Sequence, residues 1–262
     1  MVYTNDKGET DMELVLLTAF GVGGATVLGS VIGFSLKKIS HKYNDQILGF
    51  AAGVMLAAAV VGLVLPSIEY GGKYGILICV AGIIAGAMFL NFIDRFVPHL
   101  HNIAGIDKER HPGGLEQIDK IILFVTAIGI HNLPEGIAAG VSFGTDNISG
   151  AITVALGIAL QNIPEGMVII APMLAAGVSK SRTFLIALAT GLVEVIGTLF
   201  GYFAVTIATF ILPFALAFAG GTMLYVISDE MIPETHSHGY ERGATYALLI
   251  GFCLMLVLDH YI

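Results

Sequence analysis

Two stretches of the chain carry donor side chains in a pattern that suits a metal ion. His131-Asn132-Leu133-Pro134-Glu135-Gly136 recurs 30 residues later as Gln161-Asn162-Ile163-Pro164-Glu165-Gly166. Positions i and i+4 share one face of a helix, so His131 with Glu135, and Gln161 with Glu165, each present two donors together. Imidazole, carboxylate and amide oxygen suit a borderline divalent transition ion better than Mg²⁺, which prefers all-oxygen sites with retained water. Pro134 and Pro164 each remove a backbone donor, freeing the carbonyls of Ile130 and Leu160 and bending the helix beside the donors.

These donors are set in an oil-like chain. Of 262 residues, 56% are hydrophobic and 12% charged, and the mean hydropathy is +0.85; a soluble domain is roughly 25% charged. That excludes a cytosolic enzyme of ordinary surface and a disordered chain. A net charge of −8 also excludes a nucleic-acid binder, which needs clustered Lys and Arg. Cys79 and Cys253 lie inside apolar runs and build neither a disulfide framework nor a thiolate zinc site. What remains is an all-α, polytopic membrane protein. The acidic N-terminus (Asp6, Glu9, Asp11 and Glu13, with Lys7) is unlike a secretory signal, so a permanent span is expected from Met12.

A bilayer core about 30 Å thick needs roughly 20 apolar residues of helix. That length places eight spans: Met12–Leu36, Gln46–Leu65, Tyr74–Ile93, Lys120–Phe143, Gly150–Ala176, Ser181–Ile207, Pro213–Met231 and Gly243–Tyr261. They form one membrane domain over residues 1–262, with a loop at 94–119. Lys37, Lys38, Lys42, Arg95, Lys108, Arg110, Lys120, Lys180, Arg182 and Arg242 then fall on one side, and only Lys7 and Lys73 on the other. The excess of cations marks the cytoplasmic side, so both termini are expected outside the cytoplasm and the 94–119 loop within it. The cell membrane is the expected location.

An ionisable group in hydrocarbon costs several kcal/mol on insertion scales. Glu135 lies 15 residues after Lys120, Glu165 lies 15 before Lys180, and Glu194 lies 12 after Arg182. At about 1.5 Å per residue, all three reach roughly 18–22 Å into the membrane. No Lys or Arg occurs between Ile121 and Ser179, or between Thr183 and Glu241. Three such carboxylates must be protonated or share a cation. A single buried carboxylate or asparagine pair is as well explained by helix packing; two hexapeptides plus Glu194 favour a cation site. Met55, by periodicity alone, is a packing or lipid-facing residue.

Internal repetition points the same way. A shift of 168 residues aligns Gly23 with Gly191, Gly29 with Gly197, Gly53 with Gly221 and Met55 with Met223. It relates spans one and two to spans six and seven, an odd offset, so the repeated units cross in opposite directions. The hexapeptides lie on antiparallel neighbours, spans four and five.

At these motifs the sequence resembles the ZIP (Zrt/Irt-like) family of divalent-metal transporters, particularly its bacterial branch. The likeness covers the eight spans, the paired motifs, Gly191-Leu192-Val193-Glu194, and Ile232-Pro233-Glu234-Thr235-His236 after span seven. It implies a binuclear centre with Zn²⁺ as the transported substrate, Fe²⁺, Mn²⁺, Co²⁺ and Cd²⁺ fitting the same ligands. One site maps onto Met55, His131, Glu135, Gln161 and Glu165. The other maps onto Asn132, Asn162 and Glu194, with Glu135 and Glu165 bridging. Many relatives carry His-Glu pairs where this chain has Gln161-Asn162, and some carry Asp at Asn162, so a neutral amide weakens the second site here. The resemblance also implies uptake into the cytoplasm by alternating access, a homodimer, and spans one, four, five and six sliding as a unit.

Toward the outside, Glu69 and Asp259 sit at span ends where negative charge would gather cations. Toward the cytoplasm lie Asp229, Glu230 and Glu234 and the pairs His99/His101 and His236/His238, which fit an exit role or an ordinary solvated loop. Two other classes are weighed. An intramembrane metal-dependent hydrolase needs about three strong ligands plus an open water position, and here one histidine is deep and HExxH is absent. A cation-coupled permease for an organic cation needs an aromatic cage, and Phe124 and Phe143 lie about two helical turns from the first hexapeptide.

Overall fold

The computed structural model describes residues 12–36, 40–94, 131–175 and 177–262. Its helices are α1 (Met12–Ser35), α2 (His41–Tyr70), α3 (Gly75–Asp94), α4 (described over 131–142), α5 (Ile148–Val168, resuming as Ile170–Ala175), α6 (Lys180–Ile207), α7 (Leu212–Val226 and onward to Thr235) and α8 (Glu241–Tyr261). Seven helices among the described residues are long and apolar enough to cross a membrane. The protein is all-α, and α4 continues the expected fourth span. The 94–119 loop, apart from the backbone of Asp94, and residues 120–130 of that span lie outside the described residues, as do Asp6, Lys7, Glu9 and Asp11 of the N-terminal run, Lys37, Lys38, His99 and His101.

Local chemistry sets the ends. Asn147 caps α5 by accepting from the Gly150 N–H at 3.0 Å, and Ser179 accepts from the Arg182 N–H at 3.4 Å at the start of α6. Between α6 and α7, Ala208 leaves helical backbone (φ −126°, ψ 67°) and a tight turn over Thr209–Ile211 leads to Pro213 in the first turn of α7. Gly177 (φ +84°) and Gly239 (φ +85°) occupy the turns before α6 and α8, where a side chain would be strained.

Two expected boundaries are corrected. α2 was expected to stop before Pro66 and α7 before Ile232, yet α2 runs to Tyr70 and α7 to Thr235. The cause is the same in both. A π-helical turn, Val60–Val64 in α2 and Ile227–Met231 in α7, precedes a proline in the first turn of the next helical stretch. The widened turn takes up the missing N–H and the ring's clash, so the helix bends instead of ending. α2 also starts at His41 rather than Gln46, following the extended Ser40.

The matched turns are the inverted repeat made visible. Met55 pairs with Met223 at the 168-residue shift, whereas Val60 pairs with Ile227 and Pro66 with Pro233 one residue closer.

Packing sorts the helices into two sets. α1 packs on α5 and α6, while α2 packs on α8 and α3 on α7. α4 joins the first set through glycines: a Cβ on Gly136 or Gly140 would strike the backbone of Glu194 or Thr198 in α6. The sets meet chiefly along α2 and α5, where the apolar core includes Ala58, Leu63, Val154 and Ile158. The large exposed side chains, such as Leu77, Met88, Phe200 and Ile250, lie on α3, α6 and α8 and face the surface a bilayer would cover.

Candidate metal centre

The hexapeptides meet where the two sets join. Gln161 Nε2 donates to Glu135 Oε1 at 2.7 Å, tying α5 to α4. Glu135 is 1% exposed, and its electrostatic neighbours are Glu165 and Glu194. Glu165 is half-buried, with His131 and Glu230 as its neighbours. His131 Nε2 lies 3.0 Å from Glu230 Oε2 in the π turn of α7. Glu194, Glu135, Glu165 and Glu230 are thus electrostatic neighbours in one group.

Met55 is 1% exposed on α2, so it does not face lipid. A Cβ on Gly157 of α5 would stand 3.3 Å from the Ala58 methyl of α2. From that contact the antiparallel helices run one turn toward the same end to reach Met55 and Gln161, which puts the thioether level with the amide.

Beside this group, Glu194 is surrounded by donors. Thr26 Oγ1 donates to Glu194 Oε1 at 2.6 Å, Asn132 Nδ2 donates to the same oxygen, and Asn162 Nδ2 donates to Oε2 at 2.6 Å. α1, α4, α5 and α6 thus converge on one buried carboxylate. Thr26 was not among the expected site residues, although it stands 168 residues before Glu194, the repeat shift itself.

Within this interior Glu135 Oε2, Gln161 Oε1 and Asn162 Oδ1 are buried without a hydrogen-bond partner in the protein. Leaving an acceptor unsatisfied costs about 1–3 kcal/mol, and all three are oxygens of the kind that ligate a hard or borderline cation. Among the described residues, no three His, Cys, Asp or Glu side chains already converge on one point as an ion would require. His131 instead reaches to Glu230 and Glu135 to Gln161.

The peripheral residues divide by end. Glu69 and Asp259 are exposed, as is Asp146, whose N–H donates to the Tyr70 hydroxyl at 2.8 Å. Ser149 donates to the Ile262 carbonyl, which brings the end of α8 to the same place. At the opposite end Asp229 is exposed and Glu234 half-buried. His236 and His238 do not act as a pair. His236 lies against the Ile232 carbonyl at 2.8 Å and Thr245, whereas His238 reaches Asp45 of α2. Asp45 and His41 carry no assigned role in the sequence reading because both fall in what reads there as a polar break.

Comparison with known proteins agrees with this architecture. A family model described as ZIP zinc transporter matches residues 104–259. The chain is 41% identical over 250 residues to zinc transporter GufA of Myxococcus xanthus, covering 93% of this chain and 97% of that protein. It is 36% identical over 261 residues to zinc transporter ZIPB of Bordetella bronchiseptica, covering 96% and 83%. Zinc transporter ZIP11 of Homo sapiens is 30% identical over 337 residues, covering 97% and 98%.

Proposed function

The chain belongs to the ZIP zinc transporter family, and on that premise we propose that Met55, His131, Glu135, Gln161 and Glu165 hold a divalent ion midway on its passage into the cytoplasm. Zn²⁺ is the substrate the relatives' names support. The observation that carries the reading is the set of buried oxygens on Glu135 and Gln161 that no protein donor satisfies. They lie at a depth where the sequence offers no Lys or Arg. A visiting cation supplies what the fold leaves out.

The steps follow from the geometry. The ion enters from the end bearing Glu69, Asp146 and Asp259, whose negative charge concentrates cations. At the centre it displaces protons, because carboxylate and imidazole ligate in their deprotonated forms. Glu135 and Glu165 turn from each other's repulsion to a shared positive partner. A mixed oxygen, nitrogen and sulfur set binds less tightly than four thiolates and so permits release. His131, already within 3.0 Å of Glu230, swings between the centre and the π turn of α7 and hands the ion on. Asn132, Asn162 and Glu194 form an accessory site, its carboxylate already engaged by amides. The end bearing Lys42, Lys180, Arg182 and Arg242 faces the cytoplasm, by the charge bias between loops.

Zinc uptake by purified protein in liposomes tests the assignment. Glu165→Ala is expected to lower uptake by more than about tenfold, and uptake equal to that of the unaltered protein overturns it.

A further inference from the structure

A separate group of donors lies where the start of α2 meets the turn between α7 and α8. His41 and Asp45 stand one turn apart on a shared face of α2. Asp45 is 0% exposed, and His238 brings Nδ1 to 3.0 Å from its Oδ1. The His41 ring stacks on the His238 ring with centroids 4.3 Å apart. Asp45 Oδ2 is buried with no hydrogen-bond partner in the protein. A cavity of about 300 Å³ is lined by the chain neighbours of these residues, Lys42 and Gln46 on α2 and Gly239, Tyr240, Glu241 and Arg242 after His238.

A role confined to pinning the turn explains the Asp45–His238 contact and nothing more. It leaves one oxygen of a fully buried carboxylate unsatisfied and puts a second imidazole against the first. Two imidazoles and one carboxylate are a donor set typical of borderline divalent transition metals. His41 is exposed, so its ring can change rotamer without disturbing the core.

We propose that His41, Asp45 and His238 form a separate, peripheral binding site for a divalent transition-metal ion. The two rings stack in the structure rather than converge, so binding turns His41 off His238 and recruits Asp45 Oδ2. The location bears on transport. α2 carries Met55 ten residues beyond Asp45, about 15 Å along the helix, and His238 follows eight residues after the Glu230 that meets His131. The two elements that contribute to the central site therefore also build this one, and an ion leaving between them meets it next. That placement on the route rests on the transport reading; the binding site rests on its own geometry.

The test uses the full chain with Zn²⁺ as the only added metal. Crystals soaked in Zn²⁺ are expected to show an anomalous difference peak among the three side chains, besides one at the centre. A filled centre with no peak at His41, Asp45 and His238 overturns this proposal and spares the central site. A peak at these three with none at the centre overturns the central assignment and leaves this one standing. Equilibrium binding of radioactive Zn²⁺ provides the second reading. In a Glu165→Ala background, which removes a central ligand, one bound ion is expected to remain. Adding His41→Ala, a change on the exposed face of α2, is expected to weaken that ion at least tenfold. Unchanged affinity overturns the proposal.

Discussion

Glu135 and Glu194 are equally buried, and they lie side by side: a Cβ on Gly136 would strike the Glu194 backbone. Their surroundings differ. Glu135 accepts one hydrogen bond, from Gln161, and keeps an oxygen without a protein donor. Glu194 receives Thr26, Asn132 and Asn162, on both of its oxygens. A carboxylate crowned by neutral donors from three other helices is satisfied whether or not an ion is present, and it clamps α1, α4, α5 and α6 together. A carboxylate left half-satisfied is stabilised only when something positive arrives. Burial alone therefore does not separate the two carboxylates; the unmet acceptor on Glu135 does.

Four experiments press on this difference. The largest effect is expected from Glu135→Gln, which keeps shape and removes charge: zinc uptake should fall by about a hundredfold or more. Glu194→Gln should cost less than about tenfold in the same liposome assay. Equal losses would erase the contrast between the two carboxylates.

Asn162→Asp would set a second carboxylate against Glu194 in place of the amide that donates to it at 2.6 Å. Without metal the protein should lose about 1–3 kcal/mol, read as a lower melting temperature. With Zn²⁺ it should bind one more ion, counted by equilibrium dialysis. A variant with unchanged melting and stoichiometry would show that the amide does not decide the character of the second site.

Thr26→Val keeps the volume and deletes one donor from the Glu194 crown. The expected cost is about 1–2 kcal/mol of stability, with uptake per folded molecule changed much less than by Glu135→Gln. The smallest effect is in pH. Because metal binding releases protons from His131 and the carboxylates, uptake should decline as external pH falls. In Glu194→Gln the profile should keep the same shape, and a shifted profile would count Glu194 among the groups that exchange protons with the ion.

Much of this protein could be read without a structure. Eight apolar segments separated by charge and turn formers dictated helices and their number, because a backbone in hydrocarbon must satisfy its own hydrogen bonds. His131, Glu135, Glu165 and Glu194 stood out for a related reason, since charge is so costly at that depth that few such residues occur. Periodicity left Met55 open between packing and lipid, because an apolar side chain costs nothing on either face of a span, and the fold buries it. Proline misled twice, at Pro66 and Pro233, where a π turn a few residues earlier lets the helix continue.

What one-dimensional spacing could not contain is which donors meet. That Thr26 reaches Glu194 across 168 residues, that His131 turns to Glu230, and that His238 leaves His236 to join Asp45 are matters of helix rotation and crossing. Helix periodicity fixes a residue's height and its face relative to its own axis. Only the packing of glycine stripes against neighbouring backbones fixes which faces come together, and that decided which acceptors were left without a donor.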